Sequence, residues 1–206
     1  MKLNLLTVML LGSGLFLTAC GGSDDNKGDN SSTSSNVDVN NIQNPVVNTP
    51  EPYVLEDYDE EDFTVPNAEE SVVMTYKMQG IKGQETQATA LVFTPKTEPP
   101  AGGWPIVVWA HGTVGVGDEC APSRNPLIVR GGLLPDLHTH KMIDSFVKDG
   151  YVVVAPDYEG LGEPNETEIH PFLHLKSEAY SITDAVVATK NWLGNKASNK
   201  WAVIEI

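Results

Sequence analysis

A glycine-spaced loop near the middle of the chain has the residue types needed to stabilise a negatively charged oxygen atom. The apolar run WPIVVWA ends at Ala110, and His111, Gly112 and Thr113 open a loop with further glycines at positions 115 and 117. A strand that ends in this way turns its next main-chain N–H groups towards a ligand. The pattern predicts an oxyanion-binding loop of the kind used in acyl transfer.

Two phosphate-binding loops and a plain turn are the alternatives for this stretch. A nucleoside triphosphate loop needs Gly-Lys followed by Ser or Thr, but Gly117 is followed by Asp118. The dinucleotide pattern GxGxxG is also absent, and an acid beside a phosphate is unfavourable. A plain turn, in which the glycines serve backbone geometry alone, stays open, although the oxyanion loop is the preferred interpretation.

A second polar stretch, APDYEGLGEP, follows a buried run and ends in another glycine-rich loop. Asp157 and Tyr158 stand where ligands of open α/β sheets collect, beyond the carboxyl end of a strand. They either line a pocket or bond loop backbone. Structural support is the preferred role, and Tyr158 is kept as a candidate substrate-binding residue.

The histidines do not have the spacing of a metal site. His170 and His174 are separated by three residues, but Pro171 lies between them and the glutamate of HExxH is missing. His138 and His140 would point to opposite faces of an extended chain. We therefore expect no metal and no cofactor, and interpret these residues as loop and surface histidines.

Neither the acidic block nor Cys120 carries a recognisable chemistry. LEDYDEED (55–62) lacks the glycine and the spaced final Glu of a calcium loop, which favours a solvated linker. Cys120 has no neighbouring base that would make it a nucleophile. It is either buried and inert or paired with a cysteine from outside this sequence.

The elements that position these loops follow from hydrophobic periodicity. Two β-branched, partly alternating segments predict an antiparallel pair, and three continuous apolar runs predict buried strands. Segments of helical periodicity lie between these three buried strands, and Gly150 and Gly194 are their predicted stop signals. The predicted order is strands 71–78, 86–93 and 105–110, helix 138–150, strand 151–158, helix 177–193 and strand 201–206. This is an α/β fold with antiparallel first strands and then a parallel β-α-β-α-β unit.

The first 70 residues read as export and tethering segments. Lys2 and an apolar stretch run into LTAC, which resembles the bacterial lipoprotein lipobox with Cys20 as the lipidated residue. We expect a signal peptide over 1–19, a disordered tether over 20–70 and the folded domain over 71–206. The lipid anchor predicts a membrane partner and a place in the cell envelope, with the outer membrane or cell surface favoured.

The charge distribution argues against a nucleic-acid partner. The chain has 206 residues and a formal net charge of −15. Residues 21–70 contain 13 Asp or Glu against the single Lys27, so most of the negative charge belongs to the predicted tether. No basic patch is present that would displace counterions from phosphates.

Three stretches in order give the chain a family resemblance: WAHGTVGVGDECAPS, GYVVVAPDYEGLGEP and HPFLHLKSEAYSITDAVVATKNWL. Together they resemble the α/β-hydrolase superfamily and, within it, the secreted lipase and esterase group that includes the fungal lipase A type. The resemblance covers about residues 71–204. It implies hydrolysis of ester or lipid substrates by a Ser, Asp or Glu, and His triad.

The resemblance also assigns roles to residues of the first loop and shows that the expected nucleophile motif is missing. It implies that Thr113 donates its main-chain N–H to the oxyanion, that Gly112 belongs to the oxyanion loop, and that His111 braces it. A GxSxG elbow is expected after the strand ending at Ile204, but the chain reads Glu205-Ile206. The nucleophile, acid and base are therefore absent, which predicts a truncated α/β-hydrolase fold, inactive alone. The alternative is a non-catalytic surface-binding lipoprotein.

Overall fold

The computed structural model describes residues 42–54, 64–125, 139–162 and 168–205. All of them belong to one of two compact units, Ser34–Ile206. The strands are β1 Glu51–Pro52, β2 Ala68–Gln79, β3 Glu85–Pro95, β4 Trp104–Ala110, β5 Val152–Pro156 and β6 Ala197–Glu205. The helices are α1 Thr139–Lys148 and α2 Leu175–Leu193, with 3-10 turns at Asp118–Cys120 and Gly194–Lys196.

The six strands form one mixed sheet in the order β1-β2-β3-β5-β4-β6. The pairs β1–β2, β2–β3 and β3–β5 are antiparallel, with Leu91 of β3 opposite Ala155 of β5. β4 pairs in parallel with β5 on one side and with β6 on the other. The carboxyl ends of these three strands therefore meet at one edge of the sheet. The predicted α/β fold class is confirmed.

The core lies on both faces of the sheet. Every second residue of β2 is buried, from Val72 to Met78, whereas β5 is buried throughout because helices cover both of its faces. One core cluster packs β2 and its neighbours against α2 through Ala185 and Val186. The other packs the opposite face against Ile143 and Val147 of α1. The two crossover helices thus fix the sheet from both sides.

Both helices agree with the predicted segments. In α1, Ile143 and Val147 are buried and Met142 and Phe146 pack beside them, so these four residues form one apolar stripe of the helix. α2 begins at Leu175, two residues before the predicted start. It ends at Leu193, and the C-cap residue Gly194 has φ +57° and donates its N–H to the carbonyl of Lys190. The glycine stop signal is confirmed there.

The prediction that β6 is a buried strand is wrong. β6 begins at Ala197, and Trp201 and Val203 are 45% and 42% exposed. The reason is its position: β6 lies at the edge of the described sheet, with β4 as its neighbouring strand. An apolar run indicates a strand but not how many neighbours it has.

The folded unit also begins before residue 71. β1 pairs with β2 through Glu51 opposite Val73, and Val46 forms a bridge to Tyr76. Val65 is buried against the sheet. The boundary expected at residue 71 therefore moves upstream. Most of the predicted tether lies outside the described residues, as do the predicted signal peptide and Cys20. Within the described residues, no helix is long and apolar enough to cross a membrane.

Candidate active site

The carboxyl ends of the three parallel strands surround a cavity of about 280 Å³. Residues His111 to Gly115, which follow β4, form one wall, and Tyr158, which follows β5, contributes to another. Glu205 at the end of β6 and Glu178 of α2 also line it. The cavity lies where ligands of open α/β sheets bind, as the sequence predicted for the two loops.

The loop after β4 lines this cavity. Gly112 and Thr113 are exposed, and the Thr113 N–H makes no hydrogen bond to another described residue. Further along, Gly115 has φ +133° and lies against the side chain of Cys120, so a side chain at position 115 would collide with the sulfur. The loop thus holds an unengaged main-chain donor at the rim of the sheet.

His111 braces this loop from below. The residue is buried, and its ring nitrogens lie 2.7 Å from the carbonyl oxygen of Gly112 and 3.2 Å from that of Asp157. Burial lowers the pKa of His111, which favours the neutral ring. A neutral imidazole has one N–H, so it donates to only one of these carbonyls. Both ring nitrogens face main chain of the protein, which agrees with a bracing role.

Tyr158 lines the cavity and supports the loop at the same time. Its hydroxyl donates to the carbonyl of His111 at 2.8 Å, and its ring stacks on the imidazole with centroids 4.2 Å apart. Burial raises the pKa of Tyr158, so the phenol stays protonated. The two roles left open by the sequence are combined in this one side chain.

Asp157 lies beneath the cavity and is fully buried. Its carboxylate accepts the Ser123 N–H at 2.9 Å and the Thr89 hydroxyl at 2.5 Å. Burial raises the pKa of Asp157 to about 6, although these hydrogen bonds favour the charged form. Asp157 thus connects β3 with the segment that follows the loop after β4, in agreement with structural support.

Glu159 is a supporting residue that the sequence did not reveal. It is buried, and its carboxylate accepts the Ile81 N–H at 3.0 and 3.1 Å and the Ser177 hydroxyl at 2.5 Å. It therefore links the β2–β3 turn to the start of α2. A glutamate in a glycine-rich loop is expected to be solvent-exposed, and no local sequence pattern indicates these distant partners.

The interpretation of the histidines as loop and surface residues is wrong for two of them. His140 lies in α1 and is buried, and His170 is a buried loop residue. His174 caps α2 by accepting the Ser177 N–H at 3.2 Å. His138 is outside the described residues. Within the described ranges, no group of three or more His, Cys, Asp or Glu side chains is arranged to hold a metal ion.

Comparison with known proteins shows which solved structures share this fold. No family model matches the chain, and no curated protein matches it. Among solved structures, Candida antarctica lipase A in its closed state is similar with a TM-score of 0.60 and 20% identity, over 80% of this chain and 35% of that one. A putative hydrolase from Legionella pneumophila gives 0.53 and 23%, over 78% and 43%.

A cell wall degrading esterase, LipA from Xanthomonas oryzae, is similar with a TM-score of 0.52 and 24% identity, over 79% of this chain and 42% of that one. The chain thus spans less than half the length of the structures it matches. At these identities the likeness concerns the fold. The chain has the α/β-hydrolase fold of these lipase- and esterase-like structures.

Proposed function

We propose that this chain contributes the oxyanion-stabilising part of a carboxylic-ester hydrolase of the lipase or esterase type. Two observations carry the proposal together: Thr113 lines the cavity beyond β4, and its N–H has no acceptor among the described residues. The lipase- and esterase-like structures that share the fold support the same class of reaction.

The chemistry follows from where charge develops during ester hydrolysis. A nucleophile that attacks the ester carbonyl converts its oxygen into an oxyanion, and a fixed main-chain N–H stabilises that charge without reorganisation. One such donor is worth about 2.7–4 kcal/mol of transition-state stabilisation. His111 and Tyr158 hold the loop from beneath, and in this proposal they keep the donor directed at the cavity.

The nucleophile is a serine in this proposal, supplied from outside the 206-residue sequence. The sequence contains no Gly-x-Ser-x-Gly, and β6 is the strand after which the resembled family carries that elbow. The acid and the histidine of the triad come from outside as well. We therefore propose that the chain alone does not hydrolyse esters, because loss of the nucleophile costs a rate factor of about a million.

The proposal includes attachment to the cell envelope through lipidated Cys20. The supporting feature is LTAC directly after an apolar leader. Labelling with a radioactive fatty acid in a bacterial host tests it, because Cys20→Ser should abolish the label and release the protein from the membrane fraction. A label retained by Cys20→Ser would refute the anchor.

Hydrolysis of p-nitrophenyl butyrate tests the catalytic proposal. The 206-residue chain should show no serine-dependent turnover, whereas a chain extended by a segment that carries the Gly-x-Ser-x-Gly elbow, the acid and the histidine should be active. In the extended chain, Thr113→Pro removes the N–H and should lower kcat about 10²–10³-fold. Thr113→Ala is the matched control, since it keeps the N–H and should stay within a few-fold. An unchanged rate in Thr113→Pro would remove Thr113 from the site.

A further inference from the structure

His170 is a wall residue of the candidate active site for which the ester-hydrolysis chemistry above has no use. It precedes α2 and lines the same cavity as Thr113 and Tyr158. Its side chain is well buried, with 8% of the residue exposed. A polar side chain buried to this extent in a cavity wall needs a hydrogen-bonding partner.

The protein fixes the tautomer of this imidazole. Nδ1 of His170 lies 2.8 Å from the carbonyl oxygen of Glu159. A carbonyl oxygen only accepts hydrogen bonds, so Nδ1 carries the proton. In the neutral ring Nε2 therefore bears a lone pair. Glu159 is itself held through its side chain by Ile81 and Ser177, so the orientation of the ring is set before any ligand binds.

The acceptor on the other side of the ring is unused. Nε2 of His170 has no hydrogen-bond partner among the described residues. The atom is also not fully sealed from solvent. Because His170 lines the cavity, a small donor bound there is the partner that this acceptor lacks. An unpaired acceptor in a half-enclosed, partly apolar cavity favours a ligand that supplies the missing donor.

The remainder of the cavity points to the same kind of ligand. Glu178 and Glu205 add carboxylate acceptors to its wall, whereas Leu161 and Phe172 add apolar surface. A ligand that carries a hydroxyl group and no negative charge suits this lining. An additional carboxylate on the ligand would meet two like charges.

We propose that His170 is a substrate-binding residue whose Nε2 accepts a hydrogen bond from a hydroxyl group of the ester. The substrates so favoured are uncharged esters that keep a free hydroxyl, such as partial esters of a polyol. This assignment rests on the proposed function of the cavity as an ester site. His170 takes no proton from the reacting atoms in this role.

Two small esters with the same carbon skeleton test the assignment on the 206-residue chain. Glycerol 1-monobutyrate and n-propyl butyrate differ in two hydroxyl groups. Titration of the ¹⁵N-labelled chain with each, at about pH 8 where imidazoles are mostly neutral, gives their Kd values by NMR. We expect glycerol monobutyrate to bind about three- to tenfold more tightly, with a shift of the His170 Nε2 resonance.

Three variants separate this contact from a structural effect. His170→Phe removes the acceptor and should abolish the preference, whereas His170→Gln supplies an amide oxygen and should restore part of it. The matched control His174→Asn removes an imidazole from the same segment and keeps a capping acceptor for α2. The preference should survive in that control.

The outcomes distinguish this inference from the proposed function. If both esters shift the Thr113 amide and bind equally well, or if His170→Phe keeps the preference, the role of His170 is refuted and the ester site stands. If neither ester shifts any cavity resonance, both proposals fail. If His170→Phe does not fold, the comparison of the two esters on the unaltered chain still decides whether the role of His170 stands.

Discussion

Replacement of Asp157 by Asn tests whether the carboxylate beneath the candidate active site destabilises the domain at neutral pH. Asp157 is 0% exposed, and burial raises its pKa from an ordinary 3.8 to about 6. That is a difference of about two pKa units, each worth about 1.4 kcal/mol. The ionised carboxylate therefore lowers the free energy of unfolding by up to about 3 kcal/mol above pH 6, relative to its protonated form.

Asparagine preserves the hydrogen bonds of the protonated acid. Its carbonyl oxygen accepts the Ser123 N–H in place of Oδ1, and its amide donates to the Thr89 hydroxyl in place of a protonated Oδ2. Thr89 then directs its single proton to the carbonyl of Gly162, 3.1 Å away. With ionised Asp157 the same proton is engaged by the carboxylate. The substitution thus removes a buried charge and keeps both of these hydrogen bonds.

The pH dependence has a definite sign. Between about pH 4 and pH 6 the folded state binds more protons at Asp157 than the unfolded state does, so stability decreases as the pH rises. Asp184, whose pKa burial also raises to about 6, acts in the same direction. The charged and titratable groups around Asp157 are Arg124, His111 and Tyr76. Arg124 opposes the burial effect by favouring the carboxylate.

Urea unfolding at several pH values measures the effect. At pH 7, Asp157→Asn should raise the free energy of unfolding by about 1–3 kcal/mol, with the upper limit set by the difference of about two pKa units. The gain should shrink as the pH falls to about 4. Asp149→Asn on the exposed surface is the matched control, expected within about 0.5 kcal/mol. A loss of stability in Asp157→Asn at pH 7 would show that the ionised carboxylate is required, and would refute the reasoning.

Two further substitutions test the packing of the site. Tyr158→Phe removes the donor to the buried His111 carbonyl, so the free energy of unfolding from urea titration should fall by about 1–3 kcal/mol; an unchanged value would mean that water replaces the phenol. Gly162→Ala forces a side chain into a backbone with φ +67° and 2.7 Å from the Ala121 methyl carbon. It should cost about 2–4 kcal/mol by the same titration, whereas Gly102→Ala, also at positive φ but in open space, should cost less. Equal losses would contradict a packing contribution.

The sequence predicts elements well where the local pattern decides the structure. β4 and β5 are continuous apolar runs bounded by turn residues, and such runs are strands wherever a sheet is covered on both faces. The stripe of α1 follows from its period in the same way. The sequence also marks where β4 ends, because His111 and Gly112 interrupt its apolar run.

Features that depend on distant neighbours escape such analysis. β1 is two residues, Glu51 and Pro52, in an acidic segment, and it exists because β2 offers a free edge. The exposure of Trp201 depends on what lies beside β6, which the residues of β6 do not encode. Glu159 and His170 look like loop residues, and tertiary contacts alone make them buried and functional candidates.

The geometry of the candidate active site depends on three consecutive residues, Asp157, Tyr158 and Glu159. Tyr158 has φ +75°, which costs about 1–3 kcal/mol for a bulky residue and persists only where the surroundings impose it. Buried hydrogen bonds of all three side chains impose it here, since Asp157 reaches Ser123, Tyr158 reaches His111 and Glu159 reaches the start of α2. Each bond secures a different wall of the cavity. The strained residue is therefore the point at which those walls are held in fixed positions relative to one another.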